Sequence, residues 1–458
     1  MVLKMLEAFL PRNQPWITRQ SYTHELISSM TQPLGVSLVE GAVVGVLAKR
    51  AFEVSSFQFA FIMAAPAFAN LTSFLWARLA RGRRKVRFIT ALQITMQLVI
   101  ASIALLPTSP PGSMVLVTLV VLTRCLLAGV ITLRSVIWRH NYPRRIRAQV
   151  TGRLTLVTSL VMTIAPLVGF AMLDRSPKAF RIVYPAATLL ASVGAVAFSR
   201  VRLRRESELL RYETSSGVRP QPHGAPAAIY EYDPKEPQPG FWSVLRRDRF
   251  YRRYLLFQFV LGGSAMMGET VTIYLVVDMA KDLGYGYLTT IAMTMAIPMW
   301  VATCTLPWWA RYLDRVHVVR FRAIHSGLFW LTHLIVWLGA MRHSLLLIAL
   351  ARVISGVVSG GSVLAWNLGH NDFADRRMVA LYMGINATLT GVRGAIFPFL
   401  SMLLFIGWAP LRVDGIAWQV PHFDGIGPHI FVVTAVMALC SSIGFRVLDR
   451  AMIDAAPL

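Results

Sequence analysis

Long apolar runs constrain this chain more than any other feature. Stretches such as Gly112 to Ile137, Thr155 to Leu173 and Ile430 to Phe445 carry few charges. They approach or exceed the roughly twenty residues an α-helix needs to cross ~30 Å of hydrocarbon. Inside lipid no water satisfies the backbone, so such runs must pair their own amides and carbonyls as helices. Composition agrees: of 458 residues 55% are hydrophobic and only 15% charged, less charge than a soluble domain carries. The expected fold class is therefore an all-α integral membrane protein. Cys125, Cys304 and Cys440 all lie inside apolar stretches and read as small buried residues, not as a disulfide or metal set. The first thirty residues are polar and broken by Pro11 and Pro15. They lack the short apolar core of a cleavable signal, so the first span is expected to act as the insertion signal.

Twelve spans are predicted. Six fall at roughly 24–48, 56–79, 87–106, 112–138, 150–173 and 180–199, and six at roughly 254–279, 286–310, 320–340, 344–367, 378–405 and 427–446. The expected division is 1–200 for one six-helix bundle, 201–245 for a linker and 246–458 for the second bundle. The linker holds "SSGVRPQPHGAP" and "DPKEPQPG", which cannot bury a core. Its flanks, "RVRLRRESELLR" and "FWSVLRRDRFYRRY", read as basic amphipathic helices on a membrane surface.

The formal net charge is +24, which in a soluble protein would suggest nucleic acid. With an even number of spans both termini share one side. That side holds roughly 34 of the 46 lysines and arginines, against roughly 8 on the other. The excess marks the cytoplasmic face, where it meets anionic lipid headgroups. Topology thus explains the charge, no nucleic-acid partner is expected, and both termini are expected in the cytoplasm.

Laid over one another, the two halves repeat. Ala77-Arg78 returns as Ala310-Arg311, Arg87-Phe88 as Arg320-Phe321, and Pro66 as Pro298. Arg124 precedes Trp138 by fourteen residues, as Arg352 precedes Trp366. His140-Asn141 returns as His370-Asn371, Gly152 and Pro166 as Gly384 and Pro398, and Glu40 as Glu269. The offset stays between 228 and 233. Six spans repeated in the same orientation is a known transporter plan.

On these features the chain resembles the major facilitator superfamily over essentially its full length. The loop "RLARGRRKV", with Gly82, Arg83, Arg84 and Lys85, is similar to the family's signature between helices 2 and 3. Leu79 stands at the usual acidic position. The second copy, "WWARYLDRVHVVR", keeps Asp314-Arg315 without the glycine. "RVISG" at Arg352 to Gly356 resembles an Arg-x-x-x-Gly motif of proton-coupled exporters, and "APLVG" around Pro166 partly resembles the helix-5 motif of antiporters. The resemblance implies twelve helices in two pseudo-symmetric six-helix bundles. It also implies that spans 1, 4, 7 and 10 line a central cavity. Those spans carry Glu40, Arg124, Glu269 and Arg352.

A charge inside a span is costly and needs a partner or a task. These four residues form the candidate substrate and proton-coupling site: the carboxylates could titrate beside the arginines, or the arginines could hold an anionic group. The competing reading is two ion pairs that lock helices within each half. Arg78, Gly82, Arg83, Arg84, Asp314, Arg315, His140, Asn141, His370 and Asn371 are expected at the cytoplasmic loops as a gating set. His370 and Asp375 in "WNLGHNDFADRR" also match the dyad spacing of one class of membrane acyltransferases. The first copy, "WRHNYPRR", has Arg145 at the equivalent spacing, so the knot reads as one of two matched span ends. Arg134 is expected to snorkel to the cytosol, and Arg393 to face a cavity or pair with a carbonyl. His325 and His333, eight apart in span 9, are expected to pack and not to bind metal.

The expected function is secondary active transport of a small organic solute or ion by alternating access, with proton coupling as an option. The alternative is a receptor or assembly scaffold on the same fold. No enzyme activity, metal or cofactor is expected. The chain is expected to be a monomer in the cell (inner or plasma) membrane, with membrane lipid as its other partner.

Overall fold

The computed structural model describes residues 15–214, 241–374, 379–408, 411–412 and 419–455. Most of the predicted linker, and Asp375 of the His-Asp spacing, lie outside the described residues. In chain order the helices are α1 (Trp16–Thr31), α2 (Pro33–Ser37), α3 (Gly41–Ala51), α4 (Ser56–Leu71), α5 (Ser73–Leu79), α6 (Lys85–Ser102), α7 (Pro110–Asn141), α8 (Arg144–Arg175) and α9 (Phe180–Ser199). After α10 (Glu206–Thr214) come α11 (Phe241–Arg247), α12 (Arg249–Asp282), α13 (Tyr287–Ile291), α14 (Ile297–Leu313), α15 (Val318–His325), α16 (Gly327–Met341), α17 (Leu345–Leu368), α18 (Val379–Ile406) and α19 (Ile430–Asp454).

Among the described residues eleven helical stretches of 21 to 34 residues are long and apolar enough to cross a membrane, and α4 is a shorter apolar helix. Together they account for the twelve predicted spans. The second span is split because Thr72 interrupts it. Its hydroxyl donates to the Ala69 carbonyl at 2.7 Å and accepts from the Trp76 indole at 3.2 Å, a side-chain competitor to the helical ladder.

The chain divides into two compact units, one of Met1–Val54 and Phe68–His223, the other of Ser55–Ala67 and Gly224–Leu458. The start of α4 thus groups with the second half. Phe57 and Phe61 pack their rings against Phe399, and Phe59 against Tyr274. The second unit has an aromatic core in which Tyr251, Tyr254, Trp309, Phe321 and Phe445 are buried. Leu98, Ile131, Val168, Leu189 and Leu346 stand exposed, as lipid-facing side chains do.

Three irregularities shape the spans. Between α2 and α3 the amides of Leu38, Val39 and Glu40 reach back only three residues, to Gly35, Val36 and Ser37, and Glu40 is extended at φ −66°, ψ 140°. The Leu38 carbonyl accepts instead from the buried Tyr184 hydroxyl at 2.9 Å. Between α13 and α14, Ala292–Ala296 form a π-helical turn. After α18 comes a two-stranded antiparallel hairpin, β1 (Leu411–Arg412) and β2 (Gln419–Val420), in a stretch where no regular element is expected from apolar periodicity. Gly407, at φ 86°, permits it, because a Cβ there would lie 1.9 Å from the Phe423 carbonyl oxygen.

The basic flanks depart from expectation. "RVRLRRESELLR" is helical only from Glu206. "FWSVLRRDRFYRRY" splits at Asp248, whose carboxylate accepts the Tyr251 amide at 2.8 Å, so that Arg249 begins the long helix α12. A carboxylate at a helix N-cap satisfies an orphan donor, and this one starts a new helix where a single surface helix was expected.

Candidate functional site: two acid–base pairs

Glu40 sits at the N-cap of α3, in the break of the first span. Arg124 comes from the middle of α7 and is buried. Its Nη2 lies 2.8 Å from Glu40 Oε1, with the acid side chain 36% exposed and the base 7%. The contact is one of charge. Nη2 is sealed from solvent yet makes no aligned hydrogen bond, because proximity without linearity does not form one.

The repeat partners meet differently. Glu269 lies mid-helix in α12 and Arg352 in α17. Arg352 grips the carboxylate with both prongs: Nη1 donates to Oε2 at 2.6 Å and Nη2 to Oε1 at 2.8 Å. Its Nε donates to the Met293 carbonyl at 3.1 Å and Nη2 also to the Thr294 carbonyl at 2.6 Å. Both carbonyls belong to the π-helical turn, where the wider winding frees backbone acceptors. Each predicted acid–base pair therefore closes within its own unit.

The loop residues are mainly structural in their contacts. Gly82 takes a left-handed φ of 69°, Arg84 stands at the N-cap position of α6 without a side-chain cap bond, and the Arg83 guanidinium lies 5.6 Å from the Phe88 ring centre. Arg78 is exposed at the end of α5. Lys85, buried, donates to the Ala80 carbonyl. Asp314 ends α14 and, like Arg315, is exposed. His140 Nδ1 lies 2.8 Å from the Val136 carbonyl oxygen. Asn141 is a staple: its amide donates to Ser21 Oγ and the Arg202 carbonyl, and its carbonyl accepts from the Arg204 amide. His370 and Asn371 lie in a 3-10 turn after α17. Burial holds the His370 imidazole below the usual histidine range. Next to them Asp372 accepts the Val318 amide at 2.7 Å and so caps α15.

Arg134 is a correction. It does not snorkel. Its Nε lies 3.5 Å from Glu25 Oε2 and its Nη2 donates to Ser29 Oγ at 3.1 Å. Glu25, fully buried, also accepts from the Trp138 indole at 2.6 Å and the Tyr142 hydroxyl at 2.8 Å. Burial and the Glu25 charge push the Tyr142 phenol up, so it remains a donor. The internal repeat does not reveal this centre, because residue 254, at the same offset as Glu269 from Glu40, is a tyrosine. In the second unit Arg393, buried, donates to the Gln258 carbonyl at 2.8 Å. His325 lies 2.7 Å from the Val358 carbonyl oxygen and His333 lies 3.1 Å from Ser264 Oγ, packing contacts in both cases. Among the described residues no three His, Cys, Asp or Glu side chains group as metal ligands.

The sequence profile of the Major Facilitator Superfamily matches residues 26–398. No match is found among curated proteins. Similar solved structures include the nucleoside transporter NupG, at 10% identity with a TM-score of 0.67, covering 94% of this chain and 99% of that one. A peptide transporter POT in complex with sulfate shares 12% identity at a TM-score of 0.65, covering 94% of each chain. An inward-facing bacterial homologue of the human lysosomal transporter Spinster shares 11% identity at a TM-score of 0.62, covering 96% of this chain and 99% of that one. At these identities the likeness is one of fold.

Proposed function

The chain belongs to the Major Facilitator Superfamily and is a membrane transporter; from that premise we propose secondary active transport of a small organic solute or ion, driven by a proton gradient and working by alternating access. The observation that carries the reading is the pair of repeat-related acid–base contacts, Glu40 with Arg124 at 2.8 Å and Glu269 with Arg352 at 2.6 Å. A carboxylate in a partly dry site can take up a proton, and its arginine then changes partner. Each pair joins two helices, so breaking it alters both the charge and the packing of its unit. In this reading the termini face the cytoplasm of a cell membrane, and residues 1–200 and 246–458 are the two moving bundles.

The test is reconstitution in liposomes with a trapped pH-sensitive dye and a panel of solutes. Solute-dependent proton flux is expected. Glu269→Gln is expected to reach the membrane and to abolish coupled flux. Full activity of that variant at every pH would remove Glu269 from the coupling step.

A further inference from the structure

The two pairs match in the sequence but not in saturation. Arginine has five N–H donors in a fixed fork. Arg352 directs four hydrogen bonds to acceptors: two to Glu269 and one each to the carbonyls of Met293 and Thr294. It is 3% exposed, and its backbone acceptors are fixed in a helical turn. An incoming anion would have to displace a bidentate carboxylate and also turn the fork away from two carbonyls. Among the described residues Arg124 has one charged contact, Nη2 at 2.8 Å from Glu40 Oε1, and no aligned hydrogen bond. A buried guanidinium held by a single contact is less completely satisfied than one that fills four donors. Its single partner, Glu40, stands in the break of the first span.

From this asymmetry we infer that Arg124 binds an oxyanion group of the transported solute, a carboxylate or a phosphate, in exchange for Glu40, and that Arg352 holds its helices together and binds no solute. The inference rests on the transport reading above and narrows its substrate to anionic solutes. The planar fork suits a two-oxygen group. Glu40 acts as a built-in competitor that keeps the guanidinium compensated when no solute is bound.

Equilibrium binding to the purified full-length chain in detergent tests this without any need for transport. Lactate and inorganic phosphate serve as separate probes in titration calorimetry. Removing the competitor with Glu40→Gln is expected to tighten binding of one or both anions about tenfold, a step of ~1.4 kcal/mol. Glu269→Gln removes the corresponding competitor from Arg352 and is expected to tighten it far less. Arg124→Gln is expected to lose binding, and Arg124→Lys to recover part of it. Response to lactate alone assigns a carboxylate, and response to phosphate alone a phosphate group. The inference is overturned if Glu269→Gln tightens binding as much as Glu40→Gln, if folded Arg124→Gln binds like the parent chain, or if Glu40→Gln binds neither anion. Should Arg124→Gln not fold, the comparison of the two glutamate variants decides, since neither removes an arginine. Anion binding with no flux of any solute in liposomes would count against the transport reading and leave this assignment standing.

Discussion

A carboxylate as deeply buried as Glu25 persists in a membrane helix because three side chains converge on it. Trp138 and Tyr142 donate at 2.6 and 2.8 Å, and Arg134 brings the opposite charge at 3.5 Å. Arg134 also lies 5.2 Å from the Trp138 ring centre, which adds a cation–π contact. Glu25→Ala would leave that arginine buried without its counter-charge, at a cost of about 3–5 kcal/mol. Tyr142→Phe removes one donor and should cost about 1 kcal/mol. Thermal unfolding in detergent should therefore rank Glu25→Ala well below Tyr142→Phe, and equal midpoints would refute the centre's role. The residue scale is also where a sequence is hardest to read. Glu40, Arg124, Glu269 and Arg352 stand out because they recur at a nearly constant offset. Glu25 and Arg393 have no such counterpart, and nothing local distinguishes a buried partner from a snorkelling one.

At the scale of elements, the repeat-related helices differ in their interruptions. The first span breaks at Leu38–Glu40, whereas α12 runs unbroken past Glu269. The freed Leu38 carbonyl depends on Tyr184. Tyr184→Phe should leave it unpaired and cost about 1–3 kcal/mol, read as a lower unfolding midpoint with the helical content retained. An unchanged midpoint would mean that the break satisfies itself. After α18 the hairpin depends on Gly407, which combines a positive φ with the close carbonyl of Phe423. Gly407→Ala should destabilise by more than about 1 kcal/mol and raise proteolysis of the hairpin; resistance equal to the parent chain would contradict this. Helix placement is legible from apolar length. The break and the π-helical turn are not, because each trades ladder bonds for side-chain partners that come from distant residues.

For the whole molecule, the internal repeat and the apolar runs make the twelve-span plan of a two-bundle transporter legible in the amino-acid sequence. The orientation drawn from the lysine and arginine imbalance is open to direct test. Reporter fusions at either end should both fluoresce as cytoplasmic fusions and both fail as exported phosphatase fusions. A split result would reverse the charge argument and require an odd number of spans. Family membership follows from the match over residues 26–398, while likeness to solved transporters at 10 to 12% identity shows how far sequences diverge within one fold. The sequence by itself determined the number of spans, the internal repeat and which four in-span charges recur between the halves, since burial in lipid is set by length and composition alone. Only the tertiary structure decided that Arg352 makes four hydrogen bonds and Arg124 a single charged contact, because a guanidinium's partners include carbonyls whose availability depends on how a neighbouring helix winds.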